Sequence, residues 1–93
     1  MGQIVAYISG PITGVENYKE AFNKAKKHLE ELGYIVLSPT SNPAGLSNAQ
    51  YMRIDFAMID AAHVVYFLPG WQNSRGATLE RAYCEYIGKE VIG

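Results

Sequence analysis

The sequence predicts an α/β domain of the flavodoxin-like, three-layer kind, a four-stranded parallel sheet with helices on both faces. Two observations predict it. Ile4 to Ser9, Tyr34 to Ser38 and His63 to Leu68 are short runs rich in Ile, Val, Tyr and Phe without clean polar alternation, as strands covered on both faces require. Between and after them lie segments of helical periodicity, and a fourth strand begins at Glu90-Val91-Ile92, so strand and helix alternate along the chain. The expected strand order is 2-1-3-4, within one domain spanning residues 1–93.

The first helix is the clearest. Tyr18, Phe22, Ala25, Leu29 and Leu32 form one apolar stripe, Asn17 is the candidate N-cap, and Gly33 stands at the C′ position. Lys19, Lys24, Lys26, Lys27 and Glu30 fill the wet side. Ser47 is placed to cap a second helix over 48–62, with Tyr51, Ile54, Met58 and Ala61 as its inner stripe. A third helix starts near Gly76, with Leu79, Ala82, Tyr83, Tyr86 and Ile87 facing inward and Gly88 as its stop. Right-handed crossovers bring the loops that follow the strands to one edge. That edge collects Ser9 to Gly14, Pro39 to Pro43, and Leu68 to Arg75.

Composition narrows the function classes. Eight basic against nine acidic residues give a formal charge of -1, which offers no electrostatic footprint for a nucleic acid polymer or an anionic membrane. No apolar run approaches the roughly 20 residues that cross a bilayer, and the IVAYIS opening carries neither a basic n-region nor a cleavage site. The single Cys84 has no internal disulfide partner and no metal-ligand spacing around it. A cytoplasmic setting without cofactor or metal is expected. The small size and 12% aromatic content point to a homodimer or larger assembly.

The ligand edge holds several groups with chemistry. In SGPITG, the amides and hydroxyls of a Gly-bracketed turn are placed to cradle a sugar or phosphate, or the glycines serve only a tight turn. Ser74-Arg75-Gly76 falls at a helix N-terminus, where Ser74 either caps the helix or meets an anion. Glu80, one turn further, looks into the cleft or is a surface carboxylate complementing the helix dipole. Asp55 lies beside the apolar stripe of the second helix and needs a partner there, whereas Asp60, about 140° further round, reads as solvated. Tyr7 is a core residue by type whose hydroxyl is near the strand end, and Trp71 is a candidate to stack on a base or seal a subunit interface. His28 reads as surface and His63 as structural.

Assembled in order, YISGPITG, GYIVLSPT, YMRIDFAMID and VVYFLPGWQNSRGATLE resemble the nucleoside 2-deoxyribosyltransferase-like family, including its 2′-deoxynucleoside 5′-phosphate N-hydrolase branch. The resemblance implies that Glu80 attacks the anomeric carbon of a deoxyribose, that Asp55 handles protons on the base, and that Tyr7 orients the nucleophile. It implies substrate contacts from Ser9, Gly10, Pro11, Ile12, Gly14, Pro69, Gly70, Trp71, Ser74 and Gly76. Ser74, where the transferases tend to carry an acid, tilts the resemblance toward a 5′-phosphorylated substrate. Relatives often show Ala-Asp where this chain has Ala62-His63, and they continue past the position of Gly93 into a segment that lends groups to a neighbouring subunit. The expected partner is a small-molecule nucleoside or nucleotide, and the setting becomes host cytoplasm for a phage-encoded member. The rival expectation keeps the cleft for binding or sequestering a nucleotide without turnover.

The chemistry fits independently. Breaking an N-glycosidic bond passes through an oxocarbenium-like state that a carboxylate stabilises or captures, while a second acid protonates the departing base.

Overall fold

The computed structural model describes residues 3–93, so the first two positions of the expected domain lie outside the described residues. Four strands, β1 (Val5–Ser9), β2 (Ile35–Leu37), β3 (Val64–Phe67) and β4 (Glu90–Ile92), form one sheet in the order β2-β1-β3-β4. Every pairing is parallel, with Tyr7 opposite Leu37 on one side and Val65 on the other. Ile4, Tyr34, Ser38, His63 and Leu68, expected as strand residues, lie just outside the strands.

The pleat sorts side chains between two cores. Ala6 and Ile8 of β1 and Val64 of β3 point to one face, where Phe22, Ala25 and Leu29 of α1 (Tyr18–Glu31) cover them. Tyr7 of β1 with Val65 and Phe67 of β3 point to the other, against Ile59 of α2 (Asn48–Ala61) and Cys84 of α3 (Arg75–Ile87). One helix on one face and two on the other complete the three layers.

Helix ends follow local chemistry. Beyond α1, Gly33 takes φ +99°, and the Tyr34 and Gly33 amides donate to the Leu29 and Glu30 carbonyls, a Schellman closure. Asn17 makes no side-chain cap there. Ser47 and Gln50 form a reciprocal capping box at the start of α2. Ser74 Oγ accepts from the Ala77 amide at 3.2 Å at the start of α3, and Gly88 ends that helix in the left-handed region.

Three apolar stripes are corrected. Leu32 is exposed beyond the end of α1. On α2 the buried residues are Asp55 and Ile59, while Ile54 and Ala61 face outward. On α3 they are Ala77, Glu80 and Cys84, while Leu79 is 55% and Tyr86 92% exposed and Ala82 and Ile87 are also exposed. Both helices therefore bury the face that carries an acid.

Candidate active site

Alternation along β1 puts Tyr7 and Ser9 on the face shared with α2 and α3, with Ser9 at the strand's carboxyl end. Asp55 and Glu80 come to the same place from the two helices, so four polar groups gather at the sheet's carboxyl edge. Ser9 is 1%, Asp55 6% and Glu80 4% exposed. Carboxyl groups so buried need partners.

Tyr7 donates its hydroxyl hydrogen to Glu80 Oε1 at 3.0 Å. Asn42, in the loop after β2, donates from Nδ2 to Asp55 Oδ1 at 3.1 Å. Ser9 Oγ lies close enough to Glu80 to favour its charged form. It nonetheless makes no well-formed hydrogen bond among the described residues, leaving a buried hydroxyl with capacity to spare.

Burial, then the negative charge of Asp55, pushes Glu80 up to about 8, with Ser9 and Tyr7 pulling the other way. Burial also raises Asp55, opposed by its contacts with Glu80 and Asn42. The two titrate as a unit that keeps one proton into the neutral range, because two adjacent buried carboxylates resist ionising together. Burial, followed by the charges of Glu80 and Asp55, holds Tyr7 firmly protonated. The same two influences, burial first and Glu80 second, push the Cys84 thiol up to about 11, so this cysteine is a packing residue.

The surrounding loops have distinct roles. A Cβ on Gly10 would meet Leu68 Cβ at 2.8 Å, so this glycine is there for close packing and not for a left-handed backbone. Gly14 is the turn glycine, at φ +79°. Gly70, at φ +87°, approaches Pro11, so the loops after β1 and β3 touch each other. Ile12 packs on the α1 side of the sheet, whereas Pro69 is exposed. Gly76 faces Met52 across the α2–α3 contact.

Ser74 caps α3, leaving the Arg75 and Gly76 amides without helical partners. Trp71 is half-buried, with the Arg81 guanidinium 4.8 Å from its ring, so part of that ring is already covered. His63 lies at the opposite end of the sheet, where its Nδ1 accepts from the Val5 amide at 2.9 Å. Asp60 is exposed but receives the Tyr83 hydroxyl at 2.6 Å.

Asn42 is the site residue to which the sequence assigned no role. Its short polar loop has no periodicity, and only the three-dimensional contact with Asp55 singles it out. Tyr51 steadies that loop by donating to the Pro43 carbonyl at 2.7 Å and accepting from the Leu46 amide at 3.3 Å. Among the described residues no three His, Cys, Asp or Glu side chains gather as a metal site, and no helix is long and apolar enough to cross a membrane.

Residues 4–93 match the family described as Domain of unknown function (DUF4406). The chain belongs to the DUF4406 family. No curated protein matches it. Among solved structures, this DUF4406 chain is similar to the 2-desoxiribosyltransferase from Leishmania mexicana, with a TM-score of 0.74 at 19% sequence identity. The similarity covers 96% of this chain and 62% of that one. At this identity the likeness establishes a shared α/β fold for the DUF4406 chain.

Proposed function

We propose that this protein acts on the N-glycosidic bond of a 2′-deoxynucleoside or its 5′-monophosphate, as a hydrolase or a deoxyribosyltransferase. The observation that carries this reading is the buried Asp55–Glu80 pair, with Tyr7 bonded to Glu80 at 3.0 Å. The pair shares a single proton that rests on Glu80 in the free protein, and its passage to Asp55 as substrate binds leaves Glu80 the carboxylate and Asp55 the acid, the division of labour this reaction needs. The similarity to a 2-desoxiribosyltransferase supports the same reading at the level of the fold.

In the proposed cycle a Glu80 carboxylate oxygen attacks C1′ of the sugar. The C1′–N bond breaks, its electron pair leaves with the base, and Asp55 supplies the proton. Tyr7 donates its hydroxyl hydrogen to Glu80 Oε1 and so fixes the direction of attack. Asn42 holds Asp55 Oδ1, which leaves the second oxygen to carry the proton toward the base. Water, losing a proton to the Asp55 carboxylate, then attacks C1′ and frees Glu80. A second base in place of water makes the reaction a transfer. Ser9 Oγ and the free amides at the start of α3 suit a sugar hydroxyl or 5′-phosphate.

The test is to incubate the protein with deoxynucleosides and their monophosphates and to follow free base by chromatography. Base release that vanishes in Glu80→Ala is the expected result. Binding without release would replace this reading with nucleotide sequestration.

A further inference from the structure

The α2 helix carries Asp55 and, one turn earlier on the same side, Tyr51. The Tyr51 hydroxyl reaches the loop that leads into its own helix. There it donates to the Pro43 carbonyl at 2.7 Å and accepts from the Leu46 amide at 3.3 Å, so one oxygen bridges both ends of the Pro43–Leu46 turn. A hydroxyl has one hydrogen to give, and this one is spent on the loop.

The residue just before that turn is Asn42, whose Nδ2 donates to Asp55 Oδ1 at 3.1 Å. Upstream, the Asn42 backbone amide donates to the Pro39 carbonyl at 3.1 Å, and downstream the loop ends in the Ser47–Gln50 capping box. Between those anchors Pro43, Ala44 and Gly45 are exposed, and among the described residues nothing lies within 4 Å of the place a Gly45 Cβ would take. A stretch so lightly packed opens locally at low cost unless something ties it down. The Tyr51 hydroxyl is that tie, and it comes from the helix that holds Asp55. Tyr51, loop, Asn42 and Asp55 thus form a closed circuit.

We propose that Tyr51 is a positioning residue of the acid pair: its hydroxyl straps the Asn42–Leu46 loop to α2, and Asn42 stays on Asp55 only while that strap holds. The consequence concerns the shared proton. Asn42 favours the charged form of Asp55, so a loop that swings away makes Asp55 the better home for the proton, and its return makes Asp55 the readier donor. The titratable groups facing Asp55 are Glu80 from α3 and Tyr7 from β1, whereas the loop brings the neutral Asn42 amide. The bearing of the strap on catalysis rests on the proposed N-glycosidic chemistry; the strap itself does not.

Tyr51→Phe keeps the ring and removes the strap. Amide exchange at Leu46 should quicken about fivefold or more, as the loss of one ordinary hydrogen bond requires. By carbon NMR at about pH 7, where the pair holds one proton, the Asp55 carboxyl should move toward its protonated position and Glu80 toward its ionised one, as in Asn42→Ala. Adding Tyr51→Phe to Asn42→Ala should move Asp55 no further, because both act through one contact. An Asp55 signal that stays put in Tyr51→Phe overturns the proposal, as do unaltered exchange at Leu46 and shifts that add in the double variant. None of these measurements needs a substrate. Failure to release base from any deoxynucleotide would count against the proposed reaction alone, whereas base release with a descending pH limb unmoved by Tyr51→Phe would count against the strap.

Discussion

Tyr7 in the first strand and Glu80 in the last helix, 73 positions apart, are joined by a buried hydrogen bond of 3.0 Å. The bond exists because strand alternation points Tyr7 toward α3 and because α3 turns its acidic face inward. It ties the orientation of a buried carboxylate to the centre of the sheet.

Tyr7→Phe tests what that bond does to the carboxylate. The hydroxyl lowers the Glu80 pKa, so removing it raises the pKa, and the ascending limb of the base-release pH profile should move to higher pH. The maximal rate should fall by about 10- to 100-fold, with roughly 1 kcal/mol lost in folding stability. An unshifted limb would show that Tyr7 is only a core residue.

Asn42→Ala acts on the other acid. The Asn42 amide lowers the Asp55 pKa, so its loss raises it, and the descending limb, where the proton donor ionises, should move upward. Titration of the Asp55 carboxyl followed by NMR gives a check that does not depend on turnover.

Folding stability should carry the signature of the acid pair. Glu80 rises from an ordinary value of 4.5 to about 8 in the folded protein. A group raised on folding contributes stability that is complete below its unfolded value and is lost as pH climbs through its folded value. Between pH 5 and 9 the wild type should therefore lose stability, while Glu80→Gln, which keeps an oxygen to accept from Tyr7, should show a flatter curve. At pH 9 the variant should be more stable by roughly 1–3 kcal/mol. Parallel denaturant midpoints across that range would contradict the coupling.

Two glycines in SGPITG should respond differently. Gly10→Ala sets a methyl group 2.8 Å from Leu68 and should cost about 1–3 kcal/mol by overpacking. Gly14→Ala meets open space and bears only the strain of φ +79°, about 1 kcal/mol. Thermal melts of the two variants separate packing from backbone strain.

The order and kind of elements were legible because β-rich runs and the Tyr18–Leu29 stripe bury what they appear to bury. The inner faces of α2 and α3 were not. Periodicity follows apolar side chains, but these helices turn Asp55, Glu80, Ala77 and Cys84 toward the sheet and leave Ile54, Leu79 and Tyr86 outside. Where an inner face is built from acids and small residues, the usual apolar stripe marks the wrong side. Asn42 escaped for another reason: a single amide in an aperiodic loop acquires meaning only from the carboxylate it reaches.

The close fit of Gly10 against Leu68, reinforced where Gly70 nears Pro11, makes the mouth of the cleft a single piece. Neither of its two lips can swing outward alone without parting that seam. Access to the acids must come past the loop bearing Asn42 or by a concerted breathing of both lips, so entry and exit of any guest would be timed by the slower of those motions.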